Sequence, residues 1–246
     1  MMKKIALFLL TFLPVAVQAQ SDEFGIWAGA TVEKKLTNKW SLGGELEFRS
    51  TDNLKQVDRW SAGLDIEYKL AKWLKAGAGY TFLYNYYPES YTYQDDGDLN
   101  KRTMAHFGSR HRFNVSLTAS KDFGRLNVSL RERWQYTYRP EQENMRMDYQ
   151  HADLGYSYPV KGKAKHVWRN RLQLKYKVSD LLRPYLSGET YINGDGMDKL
   201  RFMLGTELKV SKQSSFNVGY VFQRGYDADD EEGNKHILSI GYKFKF

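Results

Sequence analysis

The amino-acid sequence predicts an all-β fold: a transmembrane, antiparallel, up-and-down β-barrel of about ten to twelve strands. Three observations carry that expectation. Apolar and polar residues alternate with a period of two along segments of about ten residues or more, the length a tilted strand needs to cross a bilayer and about twice that of a usual strand. The connections between those segments alternate between short turns and long polar loops, as in exported barrels. The 246-residue chain also opens on an export signal and closes on an aromatic residue.

In chain order, Lys3 and Lys4 precede an apolar run from Ile5 to Val17, with Ala19 at the expected cleavage point. This is the pattern of a secretory signal peptide over residues 1–19, and the run is too short to span a bilayer. Residues 20–246 carry no Pro/Ser-rich linker and read as a single barrel domain. The segment Phe24 to Leu36 alternates, but its place is ambiguous. As a wall strand paired with the next one it makes an odd count, whereas exported barrels favour even numbers. It is expected either to line or plug the lumen, or to be matched by a twelfth strand hidden in residues 140–165.

Ten strands follow. Trp40 to Ser50 sets Trp40, Leu42, Leu46 and Phe48 on one face against Glu45, Glu47 and Arg49 on the other, and Val57 to Leu70 opposes Trp60, Leu64 and Ile66 to Arg59, Asp65 and Glu67. The same design recurs at 73–87, 111–121, 125–139, 166–178, 184–193, 199–210, 215–226 and 236–246. In a barrel the apolar face meets lipid and the polar face lines the lumen, so a mean hydropathy of −0.64 is compatible with membrane insertion. Glu132 and Asn170 fall on the apolar face, which predicts a bulge or register change near Glu132.

Short connections at 37–39, 71–72, 122–124, 179–182 and 211–214 are expected in the periplasm. The loops 51–56, 88–104, 140–165, 194–198 and 227–234 are expected outside. Trp40 and Trp73 lie near the short turns, while Trp60, Tyr84, Tyr86, Tyr136, Tyr138, Trp168 and Tyr226 lie toward the loops. Two aromatic girdles at the membrane interfaces follow. The last strand, KHILSIGYKFKF, ends on Tyr242, Phe244 and Phe246, a pattern resembling the C-terminal signal by which the outer-membrane assembly machinery recognises its substrates.

The predicted lumen lining is strongly charged: Glu45, Glu47, Arg49, Arg59, Glu67, Arg112, Arg131, Arg133, Arg169, Arg171, Glu189, Arg201 and Glu207. Two roles compete for it. Paired charges form an electrostatic plug, or the wall made by Arg131, Arg133, Arg169 and Arg171 serves a narrow conduit for small anionic solutes. The net charge of +8 in an exported chain turns from nucleic acid toward anionic solutes and the lipid and glycolipid of the outer membrane. With no cysteine there is no disulfide, thiol catalysis or cysteine metal site.

No catalytic or cofactor motif stands out. Acidic loops, with Asp95, Asp96 and Asp98, then Asp195 and Asp198, then Asp227 to Glu232, lack a complete calcium-loop signature. A hydrolase at the outer rim, using His151 with Asp148, Asp153, Asp95 and Asp96, and a glycolipid- or partner-binding surface formed by the long loops, are the alternatives.

The stretches FGIWAGATVEKKLTNKWSLGGELEFR, HVWRNRLQLKYK and RPYLSGETYIN together resemble an uncharacterised bacterial family of exported proteins of unknown function. The positions that carry the resemblance are Trp27, Glu45 to Arg49, Arg169 with Arg171, and Pro184, Tyr185 and Glu189. The resemblance implies an outer-membrane barrel and no assigned activity.

Overall fold

The computed structural model describes residues 23–149, 157–226 and 234–246. The strands in chain order are β1 (Glu23–Lys35), β2 (Trp40–Thr51), β3 (Gln56–Lys69), β4 (Leu74–Tyr87), β5 (Ser90–Tyr93), β6 (Leu99–Thr103), β7 (His106–Phe123) and β8 (Leu126–Arg139). They continue with β9 (Gln142–Asp148), β10 (Ser157–Val160), β11 (Lys163–Tyr176), β12 (Leu182–Asn193), β13 (Gly196–Lys209), β14 (Ser214–Gly225) and β15 (Lys235–Lys245). Among the described residues, eleven of them close a barrel in the order β1-β15-β14-β13-β12-β11-β8-β7-β4-β3-β2. Alternation sorts the side chains by parity, so Leu46, Leu64, Val115, Leu172 and Leu204 are exposed on the outer wall.

The count is odd, and β1 is the reason. It is a wall strand, paired antiparallel to β2 and parallel to β15, with a continuous register from Glu23 opposite Lys235 to Glu33 opposite Lys245. The alternation of both strands is in phase across this seam. On the inner face Glu33 meets Lys243 at 2.7 Å and Lys245 at 3.1 Å, and Glu23 meets Lys235 at 3.3 Å. Parallel pairing thus removes the two open edges that eleven strands would otherwise leave. The expectation of an even count, with 24–36 as a plug or 140–165 as a twelfth wall strand, is corrected by this register.

The short turns share one device. Thr37 Oγ1 accepts from the backbone N–H groups of Lys39 and Trp40, Ser179 Oγ from Leu182, and Ser211 Oγ from Gln213 and Ser214. A hydroxyl that satisfies the turn's own backbone fixes these tight reversals. Gly124, at φ +61°, supplies the left-handed residue that the two-residue turn from β7 to β8 requires.

At the other end the loops are more ordered than their polarity suggests. β5, β6, β9 and β10 build a separate four-stranded antiparallel sheet from the 88–104 and 140–162 connections. There the Arg102 guanidinium donates to Glu89 and holds that carboxyl below the usual carboxylate range. The connection expected at 194–198 shrinks to Gly194 and Asp195, since Asn193 already pairs with Gly196.

The bulge expected at Glu132 is absent. β8 runs in unbroken register with β7 and with β11 through this position. Glu132 keeps its outward parity and accepts a hydrogen bond from the Trp168 indole at 2.9 Å.

Candidate functional site

The barrel interior is organised around two carboxylates, Glu189 buried and Glu47 half-buried. Glu189, only 2% exposed on β12, receives Arg131 at 2.7 Å, Arg169 at 3.0 Å and Arg201 at 3.4 Å, and accepts a hydrogen bond from the Tyr191 hydroxyl at 2.8 Å. Glu47, on β2, chelates Arg49 through both oxygens at 2.8 and 2.9 Å and binds Arg59 at 2.9 Å. Inward parity places each of these groups, because Glu189 and Tyr191, or Glu47 and Arg49, are two residues apart on one strand.

Between the two carboxylates runs a ladder of alternating cations and rings. The Arg49 guanidinium lies 3.6 Å from the Trp27 ring, and Arg201 lies 4.6 Å from the same ring. Arg201 is also 5.0 Å from the Tyr191 ring, which Arg169 approaches to 4.4 Å. Arg49 stands on β2 and Arg169 on β11, so the ladder crosses a lumen whose wall between them is five strand-to-strand steps one way round and six the other. Planar guanidinium groups stack on aromatic faces while still donating in their own plane, which is why arginine suits such a ladder. Against Trp27 the inner wall is apolar, with buried Val221 and Ile237 and the neighbouring Met203.

The arginine wall on β8 and β11 forms a square. Arg133 is directly opposite Arg169, and Arg131 is directly opposite Arg171. Like charges facing each other across a strand pair are destabilising unless something compensates them. Glu189 compensates Arg131 and Arg169. Among the described residues, Arg112, Arg133 and Arg171 have no carboxylate within ion-pair distance, although Arg112 donates to Thr137 at 3.4 Å. Arginines therefore outnumber the carboxylates that hold them.

Toward the turn end the lumen opens into a cavity of about 310 Å³, lined among others by Glu45, Asp65, Glu67, Arg133, Lys75 and Lys243. Glu67 is paired with Lys75 at 3.1 Å, and Glu207 with Lys175 at 2.6 Å. The sequence-derived lining residues thus divide into three groups: Glu47, Arg49 and Arg59; the wall around Glu189; and the turn-end residues Glu45, Glu67 and Glu207. Tyr242 and Phe244 lie outward on β15, and the Phe246 ring stacks on Phe244 at 5.8 Å.

Trp27, Tyr191, Gln135 and Gln223 were missing from that lining. Gln135 accepts from Arg169 at 3.1 Å and Gln223 from Arg201 at 2.7 Å. Parity was the available signal, since each shares the inward phase of a charged residue on its own strand. At the outer rim, Asp198 is buried and paired with Lys165 at 2.8 Å. His151, Asp153 and 227–232 lie outside the described residues. No group of three or more His, Asp or Glu side chains placed to hold a metal occurs among the described residues.

The closed barrel with an outward apolar wall and a charged interior has the fold of outer-membrane β-barrels. Within that class, a family model described as a protein of unknown function, DUF2490, matches residues 24–234, and the chain belongs to this family. No curated protein matches the chain. Three of the solved structures similar in fold illustrate the likeness. The β domain of the Bordetella autotransporter BrkA is 11% identical, with 82% of this chain and 79% of that one covered at a TM-score of 0.52. The NanC porin is 13% identical, with 91% and 98% covered at 0.50. The translocator domain of the autotransporter NalP from Neisseria meningitidis is 14% identical, with 83% and 73% covered at 0.52.

Proposed function

We propose that the protein resides in the outer membrane and passes small anionic solutes through an arginine-lined constriction. One observation carries the reading: among the described residues Arg112, Arg133 and Arg171 stand in the lumen with no carboxylate at ion-pair distance, beside five arginines held by Glu47 and Glu189. A structural plug is stable when its charges balance. Surplus guanidinium groups instead create a site for anions, which arginine binds in bidentate fashion through carboxylate or phosphate oxygens. The ladder through Trp27 narrows the passage, and the turn-end cavity receives solute below it. Likeness to a porin supports the barrel, and the anion preference rests on the arginines alone. In this reading the other partners are the lipid and glycolipid around the aromatic girdles, and the assembly machinery that reads Tyr242, Phe244 and Phe246.

Conductance of the refolded protein in a planar bilayer under a salt gradient tests this. The expected result is an anion-selective reversal potential that moves toward zero in Arg133→Ala/Arg171→Ala. A barrel that conducts nothing at any voltage, in wild type and in Trp27→Ala, is a plug.

A further inference from the structure

The turn-end cavity is shaped by missing side chains. Toward the loops β2 and β3 place Glu47, Arg49 and Arg59 at inward positions, but toward the turns they place Gly43 and Gly63 there, and β4 adds Gly77. The space is used closely. A Cβ at Gly43 would lie 2.4 Å from Asp65 Oδ1, and one at Gly77 would lie 3.0 Å from Ser116 Oγ. Thr31, Thr81 and Asn114 add short polar groups, and the recess of about 310 Å³ stands at the small end of ligand pockets. Its charges do not all cancel in pairs. Glu33 holds Lys243 and Lys245, and Glu67 holds Lys75. Glu45, Asp65 and Arg133 line the same cavity, and none of the three has an ion pair or a side-chain hydrogen bond among the described residues. The Nε of Arg133 is enclosed and has no acceptor. Arg133 stands on β8, three strand-to-strand steps from Asp65 on β3, and its charge acts on both carboxylates across the space between them.

We propose that this cavity binds a small zwitterionic solute, its carboxylate held by Arg133 and its ammonium group by Glu45 and Asp65. The argument is one of exclusion as well as attraction. A solute with only a negative group meets two carboxylates in the cavity, and one with only a positive group meets the guanidinium. A solute with one group of each sign satisfies both walls at once, and the guanidinium presents the fork that a carboxylate accepts. The inward glycines give room for the solute body, and the hydroxyl and amide groups beside them suit a hydrophilic one. The inference deepens the transport reading and rests on it for the route: the arginines above draw the anionic end of the solute, and the cavity selects on its amino end.

Titration calorimetry of the detergent-folded protein at fixed ionic strength tests this. Glycine, β-alanine and γ-aminobutyrate serve as zwitterions of increasing length, each compared with the carboxylate lacking its amine and the amine lacking its carboxylate. The expected result is that at least one zwitterion binds about tenfold more tightly than both of its counterparts. Glu45→Gln/Asp65→Asn abolishes that preference while the barrel keeps its heat-modifiable migration. Should the double variant not fold, Glu45→Gln alone is expected to lower the preference several-fold. Equal affinity for the three kinds of solute, or a preference that survives the substitutions, overturns the proposal. Planar-bilayer conductance separates it from the transport reading. An anion-selective barrel that shows no zwitterion preference sinks the cavity proposal alone, whereas preferential binding by a barrel that conducts nothing supports the site and sinks the transport.

Discussion

Glu189 is the side chain on which most of the interior charge converges. Three guanidinium groups and one phenol point at a carboxylate that is almost completely enclosed. Removing one partner of such a cluster leaves the others as uncompensated buried charges, at a cost of about 3–5 kcal/mol. Glu189→Gln is therefore expected to unfold at markedly lower denaturant concentration in detergent, while Glu207→Gln, whose partner Lys175 is more open to solvent, changes little. The midpoint shift of the two variants, read by gel mobility, checks the contrast. Trp27→Ala removes the ring held between Arg49 and Arg201, and the same guanidinium groups then repel across an empty slot. Higher conductance with retained anion preference is expected from that variant, and unchanged conductance would separate the ladder from the passage. At this scale the sequence is directly informative for charged residues and only indirectly for their aromatic partners. A glutamate with alternating neighbours declares its face, whereas Trp27 declares its own only through its phase with Glu23 and Glu33.

At the scale of the element, strand existence and face were legible wherever alternation was clean, and the misreadings fall where pairing decides. β1 alternates like the others, yet nothing within residues 24–36 says that its second neighbour is β15 and that the pairing is parallel. That information resides in the phase match between two segments about two hundred residues apart. Because β1 is bonded on both sides, Ala28→Pro removes a ladder donor from an interior strand and clashes with its neighbour. Loss of the heat-modifiable folded species is expected. Tolerance of the substitution would mean that the strand is peripheral. The last residue belongs to the same seam. The Phe246 N–H donates to the Glu33 carbonyl at 2.9 Å, and its own carbonyl accepts from Lys35 at 3.1 Å. Deleting Phe246 should therefore slow insertion, through the recognition pattern proposed above, and also loosen the closed barrel. Insertion kinetics into lipid vesicles and thermal stability of the folded fraction read the two effects separately.

The whole molecule adds a constraint that no single strand carries. With eleven strands and a parallel seam, the start of β1 lies at the loop end of the barrel beside Lys235, and Phe246 lies at the turn end beside Glu33 and Lys35. An even barrel with both ends at the turns, the arrangement that the alternation of loop lengths suggested, is incompatible with this register. If the short turns face the periplasm, as the loop asymmetry of exported barrels requires, residue 23 is then at the cell surface. The aromatic residues agree with a membrane slab between those ends, with exposed Trp40 and Trp73 near the turns and exposed Trp60, Tyr84, Tyr138 and Trp168 toward the loops. A chain without cysteine allows a direct test. Glu23→Cys is expected to react with a membrane-impermeant maleimide on intact cells, and Thr37→Cys, in the turn between β1 and β2, only after the outer membrane is permeabilised. Labelling of Thr37→Cys alone on intact cells would invert the barrel. Labelling of neither before permeabilisation and both after it would return β1 to an antiparallel, turn-end start and break the seam.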